Sequence, residues 1–172
     1  MNQTKKASVE LGSLSDEQLI SLRARLEGEM RRRKIAFCVG DVGEDLVIAH
    51  FNATPGLPKL QIAPPGTKNV DALSRHGDRY SIKTIWNAKK TGTIYPDSAQ
   101  RDKQLFEYLV IARLSDGWSL TSIYQFAWQD FVRMRSWDKR MNAWYVGCSA
   151  STLRLAKQIF PPIDTPHAAV GK

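Results

Sequence analysis

The residues best placed to do chemistry lie in the run 69–84, where Asp71 and Lys83 flank a tight turn at His76, Gly77 and Asp78. Glycine tolerates a positive φ, so Gly77 marks the reversal of a hairpin. Asp71 then falls on the first strand and Lys83 on the second. A carboxylate and an ammonium on paired strands can meet across the hairpin. There they can hold a divalent cation and a water beside a phosphate, which is the chemistry of metal-dependent phosphodiester hydrolysis. Side chains alternate along a strand, so Tyr80, Ile82 and Thr84 share one face and Ser81 and Lys83 the other. The plain alternative is an exposed hairpin with ordinary surface charges.

The elements that must position this pair lie upstream. Residues 42–51 read as a short helix with an apolar stripe through Val39, Val42, Leu46 and Ala49, and with Glu44 projecting away from it. Pro55, Gly56 and Pro58 end that helix. The order is a helix carrying Glu44, a strand, a strand carrying Asp71, and a strand carrying Lys83. In this order the chain resembles the restriction-endonuclease-like superfamily of PD-(D/E)-x-K nucleases. Asn69-Val70-Asp71 matches the first half of the motif, Ser81-Ile82-Lys83 the second, and Gly43-Glu44 the helix glutamate that many members add. The resemblance spans residues 39–131. It implies an α/β (α+β) fold with a mixed central sheet flanked by helices. It also implies Mg²⁺, or Mn²⁺ in its place, held by Glu44 and Asp71, with Lys83 acting on the attacking water.

One residue departs from the pattern. The second acidic position, two before the lysine, is Ser81. Mg²⁺ prefers carboxylate oxygens and water, so a hydroxyl is a poor ligand. Either Glu44 supplies the missing charge or the site does not catalyse. Asp78 belongs to the turn, and nothing in the sequence brings Asp102 or Glu107 near.

The chain has 172 residues, enough for one domain with its own core, and a formal net charge of +8. That surplus favours a polyanion, nucleic acid first and an anionic membrane second. No apolar run reaches membrane-spanning length and no signal peptide opens the sequence, so a cytoplasmic protein is expected. Cys38 and Cys148 form no disulfide framework and lack metal-ligand spacing. His50, His76 and His167 are too scattered for a zinc site. Phosphate-binding glycine motifs are absent.

Residues 1–12 read as a flexible arm and 161–172 as a disordered tail, leaving a single domain over 13–160. Its first element is a basic amphipathic helix, 15–34, opened by a capping box from Ser15 to Gln18. Its stripe of Leu19, Leu22, Leu26 and Met30 suits a partner helix, and its arginines suit either solvent or a phosphate backbone. After Lys83, the pair Lys89 and Lys90 with Gly92 predicts a flexible basic loop beside the site. Trp86 is either a stacking platform or core. Residues 106–112 form the most apolar run, expected as a buried central strand. Asp116 and Gly117 turn the chain into a further strand over 118–125. Residues 127–135 read as a helix with Trp128, Phe131 and Val132 facing inward, and Arg133 and Arg135 begin a second basic cluster. Residues 143–148 suit an edge strand. Ser149 or Ser151 caps a final helix through Ile159, ended by Pro161 and Pro162.

The expected activity is metal-dependent endonucleolytic cleavage of DNA, as in a type II-like restriction enzyme. Glu44, Asp71 and Lys83 would be catalytic, and Lys89, Lys90, Arg133 and Arg135 would contact DNA. Cutting two strands implies a homodimer, and a restriction enzyme implies a cognate methyltransferase. The alternative is a non-catalytic DNA-binding module or accessory subunit that keeps the nuclease fold.

Overall fold

A computed structural model describes residues 10–35 and 38–162 of the chain. It divides into two compact units, 1–37 and 38–172. Most of the expected arm and nearly all of the expected tail lie outside the described residues. The first unit is a single turn at Leu11–Ser13 followed by α1 (Asp16–Arg32). The capping box forms as its sequence predicts: Gln18 N–H donates to Ser15 Oγ at 3.3 Å, and Ser15 N–H to Gln18 Oε1 at 2.9 Å. Leu19 and Leu26 remain exposed on this helix.

The second unit is built on α2 (Val39–Ala53), β1 (Leu60–Ile62), β2 (Ala72–Ser74), β3 (Arg79–Ile85), β4 (Tyr108–Leu114), β5 (Leu120–Ala127), α3 (Trp128–Met134), β6 (Arg135–Asp138), β7 (Ala143–Val146), α4 (Ala150–Leu153) and β8 (Lys157–Phe160). Six strands form one mixed sheet in the order β1-β2-β3-β4-β5-β8, and β6 and β7 form a separate ribbon. β1, β2 and β3 are an antiparallel meander; β3 and β4 run parallel; the remaining pairs are antiparallel. The fold is therefore mixed α/β, with a six-stranded mixed sheet flanked by helices. The parallel pair requires a crossover. Residues 86–107 supply it without a helix, and Ile94 and Phe106 anchor it in the core.

Two apolar layers cover the sheet, and period-two alternation sorts the residues between them. Val47 and Phe51 of α2 pack on Tyr80, Ile82, Val110 and Ala112. On the other face Leu109 and Ile111 meet Phe106, Phe126, Phe131, Val146 and Leu153. β4 contributes to both layers, which is why 106–112 is so continuously apolar.

Four expectations are corrected. The buried face of α2 runs through Gly43, Val47 and Phe51, not through Val42, Leu46 and Ala49. The final helix stops after one turn at α4, and the chain continues as β8 on the sheet edge beside β5. Val132 of α3 is exposed, although Phe131 is buried and Trp128 partly so. The loop at 89–92 is strapped down: Lys89 C=O accepts from Cys148 N–H, and Thr91 exchanges hydrogen bonds with Val146 through its N–H (2.9 Å) and Oγ1 (3.0 Å).

Candidate active site at the Asp71–Lys83 hairpin

The hairpin forms as the sequence predicts. Gly77 has φ +89°, Ala72 faces Tyr80, and Ser74 Oγ donates to the Asp78 carboxylate at 2.9 Å. Asp71 precedes β2 but stays in the ladder, donating its N–H to Tyr80 C=O at 2.8 Å. Its side chain therefore lies beside the middle of β3. Asp71 Oδ2 accepts from Ile82 N–H at 2.6 Å, from Lys83 Nζ at 3.2 Å and from Ser81 Oγ at 3.4 Å. Oδ1 accepts nothing from the described residues. The Lys83 and Asp71 side chains are only 18% and 21% exposed. Lys83 Nζ also donates to Ile82 C=O at 3.0 Å. An ammonium has three N–H donors, so one stays uncommitted here.

Glu44, on α2, lies near enough to feel both charges. Its carboxyl is pushed up to about 7, first by burial and then by the Asp71 carboxylate, with Lys83 pulling the other way and Asp41 and Asp45 adding to the rise. It takes no hydrogen bond or ion pair from the described residues. A half-buried carboxyl with no donor, beside a second carboxylate, is a place short of positive charge. Gly43 makes the approach feasible. A Cβ there would lie 1.9 Å from Thr84 Oγ1 and 2.8 Å from Thr84 Cβ, so only glycine lets α2 settle this closely on β3. Asn52 clamps the other end of the helix to β1, exchanging two hydrogen bonds with the Leu60 backbone.

Glu44, Asp71 and Lys83 are thus brought together. Ser81 sits at the heart of the group, fully buried. No set of three His, Cys, Asp or Glu side chains among the described residues is arranged to hold a metal ion. The carboxylates at hand still fit Mg²⁺, which is commonly held by one or two of them with waters and a substrate phosphate completing the shell.

The remaining candidates are elsewhere. Lys90 pairs with Asp138 at 3.2 Å and lies over the Tyr145 ring, and Lys89 is exposed. Arg133 is exposed and pairs with Asp130 within α3. Arg135 differs from its expected part in a surface cluster: its side chain is 10% exposed, paired with Asp102, and stacked 4.0 Å from the Trp144 ring centre. Glu107 holds Arg79 in a two-pronged pair. Trp86 is partly exposed, edge-on to Trp118.

Sequence reasoning missed a groove lined by Lys68, Asn69, Tyr95, Arg101, Trp137 and Asn142 among others. The mixed types of these residues, scattered over three loops and a strand, gave no local signal. Compared with known family models and with curated proteins, the chain matches none. Among the described residues, no helix is long and apolar enough to cross a membrane.

Proposed function

We propose that this chain is a metal-dependent endonuclease of the restriction-endonuclease-like fold, hydrolysing DNA phosphodiester bonds. The observation that carries the reading is the convergence of Asp71, Lys83 and a donor-less Glu44 from three elements onto one partly buried spot. The helix, the meander and the mixed sheet support it as the order in which such folds are built. The net charge of +8 supports a polyanionic substrate.

Glu44 and Asp71 would hold Mg²⁺ (or Mn²⁺), Asp71 through Oδ1. The ion would supply Lewis acidity and a water acidified toward neutrality. Asp71 Oδ2 and Ile82 C=O fix Lys83, whose remaining N–H orients the attacking water or takes charge developing on the phosphorane. Ser81 at most steadies Asp71. To cut both strands the protein would act as a homodimer, and a restriction role would bring a cognate methyltransferase.

A second reading is favoured by Ser81. A fully buried hydroxyl in place of a carboxylate leaves the site one charge poorer, which suits a DNA-binding module that no longer cuts. Plasmid DNA incubated with the protein in Mg²⁺, Mn²⁺ or EDTA separates the two. Metal-dependent nicking that disappears in Lys83→Ala and Asp71→Ala is the expected result. DNA binding without cleavage under every metal condition would leave only the module. Binding to either form should fall steeply with salt as phosphate contacts release counterions.

A further inference from the structure

A groove of about 710 Å³ opens beside the hairpin, lined in part by Lys68, Asn69, Tyr95, Arg101, Trp137 and Asn142. Its size suits a small organic ligand. Its chemistry is narrower than that. The Arg101 guanidinium lies 3.8 Å from the Trp137 ring centre and 4.9 Å from that of Trp144. Those rings are themselves packed edge to face at 4.6 Å. Arg101 lies against both rings but has no carboxylate partner among the described residues, so its donors remain unspent. Lys68 likewise has no ion pair there.

Tyr95 is 48% exposed, and no described ring stacks on it. Its backbone C=O accepts from the Asn69 side chain at 2.9 Å, which fixes the Tyr95 loop to the approach into β2. The one acid in the lining, Asp97, is already neutralised locally. Its oxygens accept from Ala99 N–H, Gln100 N–H and Lys103 Nζ. Two uncommitted cations, an open aromatic face and neighbouring side-chain amides together match a base and its phosphate.

We propose that this groove is a nucleotide subsite, in which Tyr95 stacks on an unpaired base of the bound strand while Arg101 and Lys68 hold its phosphate. The proposal rests on the nucleic-acid reading given above and deepens it. Asn69 and Asp71 are two residues apart, so their Cα atoms lie within about 7 Å. A base in the groove would therefore lie close to a phosphate bound at Asp71.

The test is the affinity of the full chain for a fluorescently labelled oligodeoxythymidylate, read by anisotropy in EDTA so that no cleavage intervenes. Tyr95→Ala should weaken binding about 5- to 150-fold, the range of base–aromatic stacking, and Tyr95→Phe should restore it. Lys68→Ala should lower the slope of log affinity against log salt by about one phosphate contact. Unchanged affinity in Tyr95→Ala would overturn the proposal. So would competition by thymidine monophosphate as effective as by the oligonucleotide, since the groove would then serve a free nucleotide. Because binding is read without metal, a protein that binds through Tyr95 but never cuts DNA would refute the nuclease reading alone. One that cuts normally with Tyr95→Ala binding unaltered would refute the subsite alone.

Discussion

Glu44→Gln is the perturbation that tests the site most directly. In the folded chain the Glu44 carboxyl titrates near 7 against an ordinary value of 4.5. Between those limits the folded protein holds a proton that the unfolded chain has released. Linkage then requires stability to fall as pH rises through this window, with the full contribution present below about 4.5. The gap corresponds to about 3 kcal/mol at about 1.4 kcal/mol for each tenfold change. Glu44 is only half-buried, so solvent screening reduces this to about 1–2 kcal/mol. For a domain of this size that is about 2–8 °C in Tm. Calorimetric scans in EDTA should show wild type losing that amount between pH 4.5 and 8, and Glu44→Gln losing much less. At pH 8 the variant should melt higher. Mg²⁺ should reverse the ranking by stabilising wild type, because a cation that binds only the folded state adds about 2.7 kcal/mol at a hundred times its Kd. Parallel pH profiles for the two proteins would show that Glu44 is neither buried nor held against Asp71, and the proposed metal pair would go with it.

Other outcomes follow from the same geometry. Gly43→Ala should cost about 1–3 kcal/mol, because the added methyl overlaps a β-branched side chain that cannot swing aside. Adding Thr84→Gly should recover part of that loss in denaturant titrations. No recovery would mean that the clash is relieved by a helix shift and that Gly43 does not set the spacing. Ser81→Asp puts a second carboxylate about where Ser81 Oγ lies, 3.4 Å from Asp71 Oδ2, where two like charges resist ionising together. Its Tm should fall in EDTA and gain more from Mg²⁺ than wild type does; an equal gain would separate position 81 from any metal. Glu107 acts in the opposite sense to Glu44. The Arg79 guanidinium holds its carboxyl below the ordinary value. Its contribution is present above about pH 4.5 and is lost as pH falls below that value, so Glu107→Gln should flatten the acid limb of the stability curve.

The hairpin and its charged pair were legible because their signals are local. A glycine at the turn and strict alternation along 79–85 fix which side chains meet. Glu44 was legible only through the order of elements, and the reason it reaches the site was hidden. The α2 face that packs on the sheet begins with a glycine, and a glycine carries no hydrophobic signal. The stripe through Val42, Leu46 and Ala49 therefore reads as more apolar than the one through Gly43, Val47 and Phe51. β8 was missed for a similar reason. Ser149 does cap a helical turn, accepting from Thr152 N–H at 3.2 Å, but the helix ends there and Ile159 is buried from a strand. Arg135 reads as a surface charge in any sequence. Only the stack on Trp144 and the pair with Asp102 reveal that it is a packing residue.

Ser81 is where the two functional readings divide, and the surrounding hydrogen bonds suggest why a serine is tolerated. Asp71 Oδ2 already has three donors within reach: a backbone N–H, an ammonium and the serine hydroxyl. A carboxylate at 81 would remove one donor and add a second negative charge in a fully buried position. The serine helps hold Asp71 in place without a metal, so the hairpin would be preorganised for the proposed cation. The charge that an acid at 81 would have contributed is available instead from Glu44, but only conditionally. Near neutral pH Glu44 is poised between its two forms. A cation beside it would tip it to the carboxylate and release a proton. In the proposed arrangement the affinity for metal would rise with pH up to about neutrality. An acid at 81 would cost stability wherever no cation is bound; Glu44 lets the same fold stand without one.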